Sequence, residues 1–185
     1  MIPENVLEMA EREFRQLKTL ADRAIERLDD DQFFSSLDSE SNSIAISIKH
    51  VAGNLKSRWT GFLTTDGEKP DRDRDKEFML IEGDTRQTLM NAWEHGWQCL
   101  FETLARLNPD NLTAEVQIRG ESLSVVQAIG RQLTHYAYHV GQIVLLAKHL
   151  TGSQWTTLSV ARGGSSAFNA APRPYISENA DESLI

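Results

Sequence analysis

The sequence predicts an all-α chain: a four-helix bundle with a short strand or hairpin before its last long helix. Three observations predict it. Four stretches repeat apolar residues at three- and four-residue steps, each on one stripe. Capping patterns and stop residues bracket them, and a short two-residue alternation stands between the third and the fourth. Amphipathic helices with a single buried stripe are satisfied by packing side by side.

The first helix is expected over roughly Pro3 to Leu28, with Pro3 in the first turn, where its missing N–H costs nothing. Val6, Ala10, Phe14, Leu17, Ala21, Ala24 and Leu28 form its stripe, and Asp29-Asp30-Asp31 is expected to close it. The second spans about Ile44 to Leu63 behind the polar run Ser41-Asn42-Ser43, with Ile44, Ile48, Val51, Leu55, Trp59 and Phe62 facing inward. Thr64 to Lys76 follows, and its run Asp71-Arg72-Asp73-Arg74-Asp75 has the look of a solvated loop. The third helix opens at Asp84-Thr85-Arg86-Gln87, with Asp84 as cap and Gln87 reaching back. Its stripe is Leu89, Trp93, Trp97, Leu100, Leu104 and Leu107, and Pro109 ends it.

Between Leu112 and Gly120 the alternation in Glu115-Val116-Gln117-Ile118-Arg119 suits a strand or hairpin arm. A second capping box, Ser124-Val125-Val126-Gln127, starts the fourth helix, which runs to a natural stop at Gly152. Val125, Ile129, Leu133, Tyr136, Val140 and Ala147 face its core. Beyond Gly152 the composition reads as loop with a helical turn. Residues 177–185 read as a flexible tail, leaving 1–176 as the organised unit.

A length of 185 residues suits one domain, and 40% hydrophobic residues suffice for a sizeable core. The net charge of −8 speaks against a nucleic-acid partner, which draws on clustered Lys and Arg. No apolar run approaches the ~20 residues of a membrane span and no signal core opens the chain, so a cytoplasmic protein is expected. The single cysteine, Cys99, excludes an internal disulfide and reads as a buried structural thiol.

Chemistry, if any, rests on histidine. His135 and His139 stand four apart on the fourth helix, on one face with Cβ atoms about 5–6 Å apart. They share a flank with Ala128, Gln132, Gln142 and Leu146, half-buried in a bundle. Tyr136 stands where a zinc protease carries its glutamate, so that reading fails. A third ligand must come from elsewhere, and His50 is the best candidate. On its helix wheel it lies off the apolar stripe, beside Ile46, Gly53, Asn54 and Ser57. The helix therefore has a second packed face, or His50 meets solvent. His149 lies ten residues beyond His139, about 15 Å along the axis, too far to share an ion. His95 is expected at the surface.

The string Gln132-Leu133-Thr134-His135-Tyr136-Ala137-Tyr138-His139-Val140-Gly141-Gln142-Ile143 resembles the fourth-helix signature of the DinB-like superfamily, which also contains YfiT. Ile48-Lys49-His50-Val51-Ala52-Gly53-Asn54 resembles its second-helix motif, and the order of elements agrees to about Gly152. The tail, including Trp155 to Leu158 and Arg162 to Ser166, resembles an uncharacterised branch. The resemblance implies an up-down-down-up bundle, often a homodimer, with a divalent metal held by His50, His135 and His139. Some relatives are thiol-dependent transferases or isomerases and others resemble metal-dependent hydrolases. The implied function is therefore a metal-dependent enzyme on a small molecule, with a low-molecular-weight thiol as a candidate second cofactor. The alternative is a non-catalytic metal-binding or dimerisation module.

Three protein ligands with an open position are typical of catalytic rather than structural zinc. All-imidazole sites accept several divalent ions, zinc or nickel foremost here. Gln142, one turn beyond His139, is placed to orient a ligand or to satisfy a buried polar network. Ile46, off its helix's main stripe, adds an argument for a second apolar face and a dimer.

Overall fold

The computed structural model describes residues 2–171, with side chains from residue 6 onward. Four long helices carry the fold: α1 (Ile2–Ile25), α3 (Ile44–Trp59), α4 (Arg86–Arg106) and α5 (Val125–Thr151). Two short ones join them, α2 (Asp30–Phe34) and α6 (Ser165–Ala170), with an antiparallel hairpin of β1 (Glu115–Ile118) and β2 (Glu121–Ser124). The expected tail at 177–185 lies outside the described residues.

All the stripes point into one hydrophobic cluster. α3 lies chiefly against α4 and α1 chiefly against α5, and lighter α3–α5 and α1–α4 contacts join the two pairs. At the centre, Phe14 of α1 meets Trp59 of α3 edge-on at 5.8 Å and Tyr136 of α5 at 5.9 Å, while Trp97 of α4 meets Tyr136 at 5.6 Å. Gly96 is what lets α4 approach α3: a Cβ there would stand 2.9 Å from Leu55 Cβ and 3.2 Å from the Ala52 carbonyl.

Most helix limits follow the expected caps. Ser124 caps α5 and Gln127 reciprocates, and Gly152 ends it with φ of 55°. Two limits differ. Asp29 does not close the first helix: it accepts from Gln32 N–H at 2.8 Å and caps α2, whose Phe33 is fully buried. At α4 the cap is Thr85 with Thr88, because the Asp84 carboxylate takes Lys49 Nζ at 2.6 Å and the Ile81 N–H at 2.8 Å. Cys99 is half-buried rather than buried, its Sγ 3.8 Å from the His95 ring.

The hairpin turns through Arg119 and Gly120, both with positive φ. That mirror-image turn matches the twist of the paired strands. Asp66, just after α3, caps the turn by accepting the Arg119 and Gly120 N–H groups at 2.8 Å each, and Gly67 N–H donates to the Gln117 carbonyl. The segment after α3 is thereby tied to the hairpin before α5.

Candidate metal centre

α3 is buried on nearly every side, which settles where His50 faces. Beside the apolar stripe runs a polar row, Ser47, His50, Asn54 and Ser57, all buried, with His50 only 3% exposed. Residues 64–78 cover this row: Ser57 donates to the Gly67 carbonyl at 2.7 Å and accepts from Lys69 N–H at 3.2 Å. Helical periodicity counts only the apolar stripe, so a polar row that packs against a loop looks solvent-facing in the sequence.

His50 meets the α5 pair. Its Nε2 lies 3.4 Å from His135 Nε2, and its ring centroid lies 4.9 Å from that of His139. One ligand nitrogen from each ring falls within 4.8 Å of the others, close enough to bind one metal ion. His149 and His95 are exposed and stand apart. A tetrahedral ion with Zn–N bonds of 2.0–2.1 Å holds its nitrogens about 3.3–3.4 Å apart. The His50–His135 separation fits that spacing.

The outer nitrogens fix the tautomers. His50 Nδ1 donates to Glu77 Oε2 at 2.9 Å, and His139 Nδ1 donates to Gln142 Oε1 at 3.0 Å. In the neutral ring this arrangement leaves Nε2 bare, as metal-binding imidazoles need. Burial, followed by repulsion from the other two rings, pushes His135 down to about 3, and burial with His50 pushes His139 down to about 4. Both rings are neutral at pH 7, so no proton competes for their lone pairs.

Glu77 is held in turn. Arg72 grips both its oxygens at 2.8 Å, and Phe78 lies over the His50 ring at 4.5 Å. Burial works to raise the Glu77 carboxyl, but His50 and Arg72 outweigh it and keep it below the ordinary value. Room for that carboxylate comes from Gly53, where a Cβ would stand 2.3 Å from Glu77 Oε1. The network extends outward, since Glu68 accepts from Arg58 at 2.9 Å and from Arg72 and Arg119 at 3.2 Å each.

Arg72 is therefore no solvated loop residue, contrary to the reading of the Asp/Arg run: its side chain is 5% exposed. Glu77 carried no signal of its own, being 27 residues from its partner across irregular chain. Gly53, a glycine inside a helix, was the one local hint of a close approach.

Beside His50 and His135 opens a cavity of about 390 Å³, which also reaches Asn54, Thr134 and Tyr138. Tyr136, between the two α5 histidines, points the other way. Trp59 donates to its hydroxyl, which donates to Asn54 Oδ1, each at 3.1 Å, locking α5 to α3 next to the rings.

A family model described as a protein of unknown function, DUF1572, matches residues 2–164. This chain belongs to the DUF1572 family. DUF1572 falls within the DinB/YfiT-like superfamily, in agreement with the second- and fourth-helix motifs. The match takes in all four long helices and every residue of the histidine cluster. No curated protein and no solved structure matches the chain. The DUF1572 description assigns no activity, so function has to be argued from the site.

Proposed function

We propose that His50, His135 and His139 hold one divalent ion, zinc or nickel, and that the protein is a cytoplasmic metal-dependent enzyme acting on a small molecule. The observation that carries this is the juxtaposition of three imidazoles, two with their outer nitrogens anchored, with His50 and His135 at the wall of a 390 Å³ cavity. Such an ion, when bound, supplies Lewis acidity that brings a water or a thiol toward its anion near neutral pH. The protein's own part is positional. Glu77 and Gln142 aim two of the rings, Phe78 shields His50, and Tyr136 fixes the register of α5 against α3.

Among the described residues no carboxylate lines the cavity, and Glu77 is fully engaged by Arg72 and His50. A side-chain general base is thus missing from the cavity wall, which favours reactions whose nucleophile the ion itself acidifies. Transfer of a low-molecular-weight thiol to an electrophile, or hydrolysis of an ester or amide, meets that condition.

This reading includes an up-down-down-up four-helix bundle and a homodimer. Trp59, Trp93 and Trp97 are consumed by the core, so the exposed Val126, Tyr138 and Leu145 of α5 are the candidates for an apolar contact face. Metal analysis of protein purified from its native host tests the proposal. One zinc or nickel per chain is expected, with turnover in a screen of thiol and ester substrates that chelation abolishes. Protein that carries no ion and takes none up would overturn it. A tightly held ion with no turnover in any condition would leave a non-catalytic metal-binding module.

A further inference from the structure

We infer that the cavity beside His50 and His135 is an oxyanion pocket, so that its small-molecule ligand carries a carboxylate or phosphoryl group. The pocket stands on its own geometry; its assignment to the substrate rests on the metal-dependent reading above.

The wall of this cavity includes five arginines, Arg58, Arg72, Arg74, Arg119 and Arg131, and, among the described residues, no Asp or Glu. In a chain of net charge −8 that concentration is opposite to the whole. The carboxylates paired with these arginines are Glu68, Glu77 and Glu121, so guanidinium groups are in excess. Asp71, Asp73 and Asp75 line an adjoining hollow that shares Arg72 and Arg74 with this one.

The arginines differ in what they have left to give. Arg72 is spent on Glu77 and Glu68. Arg119 and Arg131 each touch one carboxylate through a single nitrogen, at 3.2 and 3.3 Å, and keep further N–H donors. Arg58, only 5% exposed, bonds Glu68 and the Gly67 carbonyl, yet its Nε–H has no partner.

Gln132, 3% exposed and also on the cavity wall, leaves its Oε1 without a partner. Buried polar atoms are almost always bonded, so these two mark an incompletely satisfied stretch of the polar wall. Arg forks match carboxylate and phosphoryl oxygens two at a time. A ligand held there by its anionic end lies in the same cavity as His50 and His135.

The test is calorimetric titration of inorganic phosphate and of succinate into zinc-loaded and into chelator-treated protein, at low and at moderate salt. Zinc titration of the same samples runs in parallel. Arg131→Gln and Arg119→Gln both alter half-exposed side chains, and circular dichroism checks their fold; Arg106→Gln, on an exposed part of α4, reports the loss of a charge elsewhere. The expected result is that at least one anion binds the chelator-treated protein, more weakly as salt rises. Its affinity should fall at least tenfold in Arg131→Gln or Arg119→Gln and little in Arg106→Gln. Phosphate alone binding identifies a phosphoryl pocket, and succinate alone a carboxylate pocket.

No binding of either anion without zinc would overturn the inference, and so would affinities indifferent to both variants. Anion binding with no zinc binding would overturn the metal reading and leave the pocket standing; zinc binding without anion binding would do the reverse.

Discussion

The Glu77 carboxylate holds His50 on one side and is gripped by Arg72 on the other, and Gly53 provides the space it occupies. Outer carboxylates of this kind typically govern metal affinity by 10–100-fold. Glu77→Gln is therefore expected to weaken zinc binding about tenfold or more, with circular dichroism unchanged; an unaltered Kd would show that His50 needs no anchor. Gly53→Ala makes a sharper test. Alanine in place of a helix-interior glycine ordinarily stabilises by about 0.5–1 kcal/mol. Here the added methyl would meet Glu77 Oε1 at 2.3 Å. The variant should lose stability in denaturant titration and lose metal affinity along with it, and a gain in both would remove Glu77 from its assigned place. Tyr136→Phe should cost about 1–2 kcal/mol, since Trp59 N–H and Asn54 lose their shared hydroxyl inside the core.

At the scale of elements, the sequence disclosed regular structure well and the irregular stretch poorly. Ser124 with Gln127, and Gly152, mark α5 almost to the residue, because caps are short-range chemistry. The four-residue spacing singles out His135 and His139 as a pair, and the resemblance of their motif is what makes them metal-ligand candidates. Which way His50 faces was not legible from periodicity, because the polar row of α3 is covered by residues 64–78, and the resemblance of its motif is what favours it as a ligand. Arg72 and Glu77 lie within that covering segment, where no period exists to read and an alternating charge run mimics a solvated loop.

The same segment supplies a pH dependence. Burial tends to raise the Glu68 carboxyl, but the hydrogen bond from Arg58 and the charges of Arg72 and Arg58 overcome it and hold it below its ordinary 4.5. In acid the unfolded chain therefore binds this proton before the folded one does. The stabilisation is complete above about pH 4.5 and is lost as pH falls through the lowered folded value. Glu68→Gln should be less stable than the parent at pH 7 yet lose less on going from pH 5 to pH 3, measured by urea titration. Parallel acid limbs in the two proteins would show that Glu68 does not carry the effect.

For the molecule as a whole, the stripes of α1, α3, α4 and α5 close the core without any help from an ion. His139→Ala should thus abolish most metal affinity while keeping helical content and a cooperative thermal transition. A variant that cannot be folded in any solvent would instead make the ion a structural staple between α3 and α5. Light scattering at micromolar concentration is expected to give twice the mass of one chain, and a single-chain mass would remove the dimer from the reading.

The tie of Asp66 to the hairpin turn has a thermodynamic corollary. His50 leans on Glu77, Glu77 on Arg72, Arg72 on Glu68, Glu68 on Arg119, and Arg119 sits in the turn that Asp66 caps. Whatever binds the imidazoles favours the conformation in which that chain is closed. By reciprocity, whatever closes the chain favours binding. Amide hydrogens of residues 66–78 and of the 119–120 turn, far from any ligand atom in sequence, should exchange more slowly with deuterium once zinc is added. The hairpin would then register metal occupancy without touching the metal.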